Sequence, residues 1–256
     1  MNICVDVGNT MVKIGFFKDD LLLKTISFTT DEKKTDDEFY AIIKNQLNAN
    51  DVVINESNNV IYASVVPSIN YALKNALERI FNSELLVLGN GVKTGLAMKV
   101  DNPTEVGSDL IADLVGLKNK YGYPSIICDL GTASKILLLD KDGFFSSCAL
   151  TPGISISSEI LSQKGEMLPM VSLVAPKKVV ARNTIDAMNV GIVYGHADMM
   201  LGLVNRLEKE LGYKCKKVLT GGGSIHIKDI VKDEFIFDKT ICLEGLNIIL
   251  NKNLGK

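Results

Sequence analysis

Residues 5–20, VDVGNTMVKIGFFKDD, and residues 128–143, CDLGTASKILLLDKDG, are two versions of one passage. Asp6 falls on Asp129, Gly8 on Gly131, Asn9 on Thr132 and Lys18-Asp19 on Lys141-Asp142, without a gap. Each copy reads as a strand, a tight polar turn at an acid-x-glycine, a second strand and a charged turn, with glycine where the backbone must bend or approach something closely. A repeat at this offset divides the 256-residue chain near its middle, and a single core tends to split at about this size. The expectation is two lobes, residues 1–118 and 119–256.

Between the copies, VVINESNNVIYASVVPSI and SELLVLGNG read as short buried strands. NYALKNALERIF between them places Leu73, Ala76, Leu77 and Ile80 at helical spacing. In NTIDAMNVGIVYGHADMMLGLVNRLEKEL, residues Val193, Ala197, Met200, Val204, Leu207 and Leu211 form one apolar face, with Asn183 or Thr184 as the cap. A strand KKVLT before Gly221-Gly222-Gly223 and a helix near EGLNIILN complete the pattern. Strands alternating with helices predict α/β lobes, and with no low-complexity linker between them the lobes are expected to pack over a cleft.

Composition narrows the function. The 46% hydrophobic content supports a full core, and 28 Lys plus Arg against 30 Asp plus Glu leave a net charge of -2, so a nucleic-acid partner is not expected. The five cysteines are scattered without a C-x-x-C pair and read as reduced core residues. No leader pattern opens the chain and no apolar run is long enough to span a bilayer, which points to a cytoplasmic protein without a membrane partner.

The turns carry the candidate chemistry. Outward amides of a glycine turn can hold a phosphate, whereas an adjacent carboxylate needs a cation between itself and that phosphate. Asp6 and Asp129 are therefore candidate metal or metal-water ligands. Asn9, Thr10 and Thr132 offer neutral donors, and Lys13 adds charge. Gly221-Gly222-Gly223 forms a third glycine turn. No G-x-x-x-x-G-K-[ST] is present, and LLVLGNGVKTG meets Pro103 instead of opening a long helix, so P-loop and dinucleotide folds are not supported. In DNPTEVGSDLIADLVGL, Asn102 suits a helix cap and Pro103 a first turn, with Val106, Leu110, Leu114 and Leu117 on one face. Asp109 in that helix has the identity of a base that accepts a hydroxyl proton. His196 and His226 show no metal or nucleophile spacing and read as structural or surface residues.

Taken in order, DVGNTMVKIG (6–15), SVVP (64–67), DNPTEVGSD (101–109), CDLGTA (128–133), TPGISISSEIL (151–161), NTIDAMNVGIVYG (183–195) and LTGGG (219–223) resemble the type III pantothenate kinases, members of the acetate and sugar kinase, Hsp70 and actin superfamily. The resemblance runs nearly end to end. It implies two ribonuclease-H-like lobes in an actin/hexokinase-like duplicated fold, a homodimer, and transfer of the γ-phosphoryl of ATP to the primary hydroxyl of pantothenate, the first step towards coenzyme A. It assigns Asp6, Val7, Gly8, Asn9, Thr10, Met11, Val12 and Lys13, with Gly131, Thr132, Gly221 and Gly222, to ATP. Val100, Gly107, Ser108, Asp109, Leu110 and Thr184 line the pantothenate pocket, Thr184 arriving from the neighbouring subunit, with Asp109 as base. Asp6 serves a divalent cation (Mg) and Asp129 a monovalent one (K or ammonium).

The chain departs from that family's pattern on the acceptor side. Leu110 stands where an Arg follows G-x-D, and Val100 where an aromatic precedes the acid-Asn-Pro. An Arg would pair with the pantothenate carboxylate, a charge-assisted bond of about 1.5–3 kcal/mol that Leu cannot make. Ser134-Lys135 replaces the more usual Thr-Thr after GTA. Beside the plain kinase, two readings follow: a kinase of altered acceptor, taking a smaller or uncharged alcohol, and a nucleotide-binding regulatory subunit in a mixed dimer with a paralogue.

Overall fold

The computed structural model describes residues 1–54 and 58–255. In chain order, β1 (Asn2–Val7), β2 (Met11–Lys18), β3 (Leu21–Thr29), α1 (Asp36–Ala49), β4 (Asn59–Ser64), α2 (Asn70–Phe81), β5 (Leu85–Val87) and β6 (Ala97–Met98) lead to α3 (Ser108–Tyr121). Then come β7 (Ser125–Leu130), β8 (Ala133–Leu139), β9 (Phe144–Pro152), α4 (Ile154–Lys164), α5 (Thr184–Asn189), α6 (Gly195–Leu211), β10 (Lys216–Thr220), β11 (Ile236–Phe237) and α7 (Ile241–Asn253). Residues 55–57, within the stretch read above as a strand, lie outside the described residues.

The duplication extends from the hairpins to whole sheets. One sheet has the order β3-β2-β1-β4-β5, and the other contains the same sequence of roles, β9-β8-β7-β10-β11, with β6 added beside β9. In each, three antiparallel strands are followed by two strands parallel to the first. The ungapped alignment needs one correction. β1 pairs Asp6 with Lys13, whereas β7 pairs Asp129 with Lys135, so the second turn is one residue shorter. The shortened turn makes Lys135 the counterpart of Lys13. The register irregularities agree: they fall at Phe16/Phe17 in the first copy and at Leu138/Leu139 in the second.

Cα packing divides the chain into two compact units: residues 1–96, 101–120 and 240–256, and residues 97–100 and 121–239. The expected boundaries left α7 in the second lobe, but it belongs to the first unit. Side chains alternate across a strand, and in β1 Ile3, Val5 and Val7 face Phe39, Ile43 and Leu47 of α1 and Leu73, Ala76, Leu77 and Ile80 of α2. Cys4 faces the other way and joins Phe17, Ile61 and Ala63 under α3 and α7, where Leu243, Leu246, Ile249 and Leu250 cover it. Each fully buried side chain of this kind contributes about 1.5–3 kcal/mol. On the same face Asn2 Nδ2 donates to Asn247 Oδ1 (2.8 Å) and Asn251 Oδ1 (2.7 Å).

α2 spans the predicted residues. The long helical stretch also forms, capped by Asn183, whose side chain accepts from Asp186 N at 2.8 Å, but Val190–Tyr194 form a π segment between α5 and α6. Val193, Ala197, Met200 and Val204 of its predicted face are fully buried in the second core. Asn102 does not start the next predicted helix. Pro103–Glu105 make an isolated 3₁₀ turn and Val106 is extended, so α3 begins only at Ser108. The Asn102 side chain instead donates to Glu105 Oε1 (2.6 Å).

α3 and α7 touch at glycine. A Cβ on Gly245 would overlap Ala112 O, and one on Gly116 would overlap Ile241 O. Gly245→Ala is expected to destabilise the protein by about 1–3 kcal/mol through overpacking, outweighing the roughly 1 kcal/mol helix-propensity gain. Gly202→Ala, in α6 with open space around it, should raise stability by up to about 1 kcal/mol. Urea and thermal unfolding midpoints of the two variants check the opposite signs.

Candidate active site

The alternation that builds the first core also aims the first candidate residues. Asp6 follows Cys4 by two and Lys13 precedes Phe17 by four, so both share the α3/α7 face and stand opposite each other across β1 and β2. Asp109 sits in the first turn of α3. Its Oδ1 accepts from Leu110 N at 2.9 Å, which turns the carboxylate back over Gly107, where a Cβ would lie 2.6 Å from it. Ser108 Oγ ties the helix start to Ser64 O (3.2 Å) at the end of β4. Cys242, at the start of α7, is half-buried. Burial first, then the negative charges of Asp6 and Asp113, raise that thiol well above its usual range; Asp109 adds to this and Lys13 opposes it.

The turn is closed by hydrogen bonds. Gly8 N donates to Met11 O (3.0 Å), Thr30 N donates to Thr10 O (3.0 Å), and Thr30 Oγ1 donates to Gly8 O (2.6 Å). The Gly8 amide therefore closes the turn and does not point outward, contrary to the expectation for a phosphate cradle. Asn9 and Thr10 are exposed at its tip. Val7 and Val12 are fully buried against α1 and α2, so their side chains serve the core, while Met11 is half-buried.

The second unit repeats the pattern with a tighter surround. Gly131 N donates to Ala133 O (3.1 Å), and Thr132 is exposed. Gly153 N donates to Thr132 O (3.0 Å), and a Cβ on Gly153 would strike the carbonyls of Gly131 and Thr132. α4 therefore starts against this turn, a role for TPGISISSEIL that its sequence did not signal. Gly221, at φ +87°, presses on Asp129 Oδ1 and the Leu130 backbone, and Gly222 faces open space. Asp129 Oδ2 lies 2.6 Å from Lys135 Nζ, with only 13% of either side chain exposed.

Among the other predicted residues, Val100 is half-buried beyond β6 in the second unit, and Thr184 is exposed at the first position of α5. Leu110 is half-buried. Both histidines hold backbone: the ring nitrogens of His196 meet Ile192 O (3.0 Å) and Pro152 O (3.2 Å), and His226 Nδ1 meets Leu173 O (2.9 Å). Cys4, Cys128 and Cys215 are buried as expected, but Cys148 is exposed on β9. One open depression of the first unit lies at the start of β1, around Asn2, Asp19, Asp20 and Asn251, at the far end of the strand from Asp6. It contains none of the predicted site residues.

Residues 2–206 match the family described as type III pantothenate kinase. A type III pantothenate kinase of Halalkalibacterium halodurans is 33% identical over 99% of this chain and 100% of its own length. One from Exiguobacterium is 36% identical over 99% of both chains. The chain belongs to the type III pantothenate kinase family. Among solved structures, a putative Baf family transcriptional activator from Campylobacter jejuni superposes with a TM-score of 0.63 at 19% identity, covering 99% of this chain and 100% of that one. A putative 2-dehydro-3-deoxygalactonokinase from Sinorhizobium meliloti gives 0.58 at 11% identity, covering 98% and 96%. These two likenesses concern the fold alone, a two-sheet α/β architecture.

Membership in a kinase family implies a nucleotide and a divalent cation, and the first unit fits both. Mg²⁺ keeps several waters and uses one or two carboxylates together with substrate phosphates. Asp6, opposite Lys13 across β1 and β2, offers one carboxylate to such a coordination, and no cluster of three His, Cys, Asp or Glu occurs among the described residues. A monovalent cation at Asp129 does not fit, because the Lys135 ammonium already holds the carboxylate.

The Gly107 contact gives a direct test of the pocket. Gly107→Ala should displace the Asp109 carboxylate and lower turnover by about 10²-fold, the cost of a misplacement near 1 Å, while ATP affinity stays within a few fold. Steady-state kinetics with equilibrium nucleotide binding measure both.

Proposed function

We propose that the protein transfers the γ-phosphoryl group of ATP to the primary hydroxyl of pantothenate, forming 4'-phosphopantothenate in the first step of coenzyme A biosynthesis. The observation that supports this best is that Asp6 and Lys13 stand opposite each other across β1 and β2, on the sheet face covered by α3, whose first turn carries Asp109. A cation ligand, a phosphate-seeking ammonium and a candidate base thus lie in one region of the first unit.

In this reading, Lys13 and the side chains of Asn9 and Thr10 hold phosphate oxygens, and Asp6 receives the hydrated divalent cation. The Asp109 carboxylate takes the hydroxyl proton as the alcohol oxygen bonds to the γ-phosphorus and the bridge to ADP breaks. Positioning does most of the rest. Gly131, Thr132, Gly221 and Gly222 are assigned to ATP, and Gly107–Leu110, Val100 and a partner's Thr184 to pantothenate. The assembly is a homodimer in the cytoplasm; no helix among the described residues is long and apolar enough to cross a membrane.

Asp109→Asn should leave ATP affinity nearly intact and reduce turnover by about 10²–10⁴-fold, the usual value of a positioned base. Turnover within a few fold of wild type would make Asp109 a helix-surface acid.

A second reading rests on Leu110, half-buried beside the proposed base with no charge to offer a carboxylate. Here the acceptor is a smaller or uncharged alcohol, or the chain acts in a mixed dimer with a paralogue that carries the Arg. Under this reading Val100→Tyr with Leu110→Arg lowers the KM for pantothenate by about ten- to a hundredfold, the yield of one charge-assisted bond. An unchanged KM leaves the plain kinase.

A further inference from the structure

Lys135 is a half-buried lysine that the proposed reaction does not use. It stands directly across β7 and β8 from Asp129, on the same sheet face. Its Nζ lies 2.6 Å from Asp129 Oδ2, and both side chains are 13% exposed. An ion pair this short and this shielded from water is a charge-assisted hydrogen bond, unlike an exposed bridge that solvent screens. The surround is close: Gly221 packs on the other carboxylate oxygen, Asp129 Oδ1, so tightly that no Cβ fits there.

A carboxylate buried to this degree needs a positive partner. A free potassium or ammonium ion could supply one. Here a primary ammonium, equal in charge and with three N–H donors, is already delivered by the chain. A second cation on the same carboxylate would meet the repulsion of Nζ at close range. We propose that Lys135 is a tethered substitute for a free monovalent cation at Asp129, so that nucleotide binding and turnover in this protein do not depend on potassium or ammonium. The Lys13–Asp6 pairing at the equivalent place in the first hairpin shows the same cross-strand arrangement.

The nucleotide part of this inference rests on the kinase reading, so the test includes a measurement independent of turnover. Wild type and Lys135→Thr are compared in about 0.1 M KCl and in tetramethylammonium chloride at the same ionic strength, which equalises screening. The first readout is the thermal midpoint, since an ion that binds only the native state raises it. MgATP affinity and turnover follow. Wild type is expected to show no potassium-specific change in any of the three. Lys135→Thr should gain stability specifically from potassium and should lose turnover by about 10²-fold in its absence, as when one preorganised charge is removed from a site, with recovery on adding the ion. Lys135→Gln, which keeps the length and loses the charge, is expected to behave alike and replaces the threonine variant should that one not fold. A potassium-specific gain in wild-type stability, affinity or turnover overturns the proposal. So does a folded neutral variant whose thermal midpoint is indifferent to potassium. Absence of turnover with every ion would instead count against the kinase reading and leave the stability comparison decisive for Lys135.

Discussion

The period-2 alternation of β1 and β7 is the constraint on which the rest depends. Each strand must bury one face under helices, and in each the acid sits on the opposite parity: Ile3, Val5 and Val7 against Asp6, and Ile126, Cys128 and Leu130 against Asp129. A carboxylate in mid-strand would be sealed in a low-dielectric layer at a cost of several kcal/mol. At the strand end it is part-exposed, within reach of a cross-strand lysine and next to a glycine turn that brings backbone and solvent close. The acid's place in the sequence thus follows from where a charge can be tolerated, and the same place makes it available to a ligand.

That constraint also explains what could be read in advance. The hairpins were legible because an acid-x-glycine between apolar runs has few other solutions. α2 and the stretch from Thr184 to Leu211 were legible because their apolar spacing repeats at 3.6 residues. The home of α7 was not, since an apolar helix does not name the sheet it covers; only the uncovered face of β1 and β4, with Cys4, Ile61 and Ala63, decides it. The late start of α3 was hidden for a local reason. Asn102, Pro103 and Glu105 are good helix-start residues, yet they spend their bonds on a single turn, and the true start is fixed by Ser108 reaching Ser64 at the end of β4.

At the site, residue types were easier to anticipate than their use. A glycine in such a turn suggests an amide donor to phosphate, but a turn this short consumes the Gly8 and Gly131 amides to close itself, leaving Asn9, Thr10 and Thr132 exposed at the tips. Val7 and Val12 fall within the nucleotide motif yet point into the core, because alternate residues of a motif on a strand must do so. The significance of Lys135 was masked by the ungapped alignment, which set it against Val12. One residue lost from the second turn is regained after β8, where the turn from Asp140 to Phe144 is longer than that between Lys18 and Leu21. Matching ends therefore concealed the slip.

The two copies have diverged in a way that bears on which one does chemistry. In the first, β5 is followed by α3, whose first turn places Asp109 on the face shared by Asp6 and Lys13. In the second, the helix after β11 is α7, and it packs in the first unit. Its first-turn acid, Glu244, is held by Lys120 at 2.6 Å and by Thr240 at 2.8 Å. Neither bond leaves that carboxylate disposed to act as a base. The second hairpin keeps the acid and its lysine in a tight pair. The first keeps an acid and a lysine opposite each other, with Asp109 in the first turn of the helix that covers the same face. Duplication supplied two equivalent turns, and the different fates of α3 and α7 give them different surroundings: α3 brings Asp109 to the face of the first, whereas α7 leaves the second unit to pack in the first.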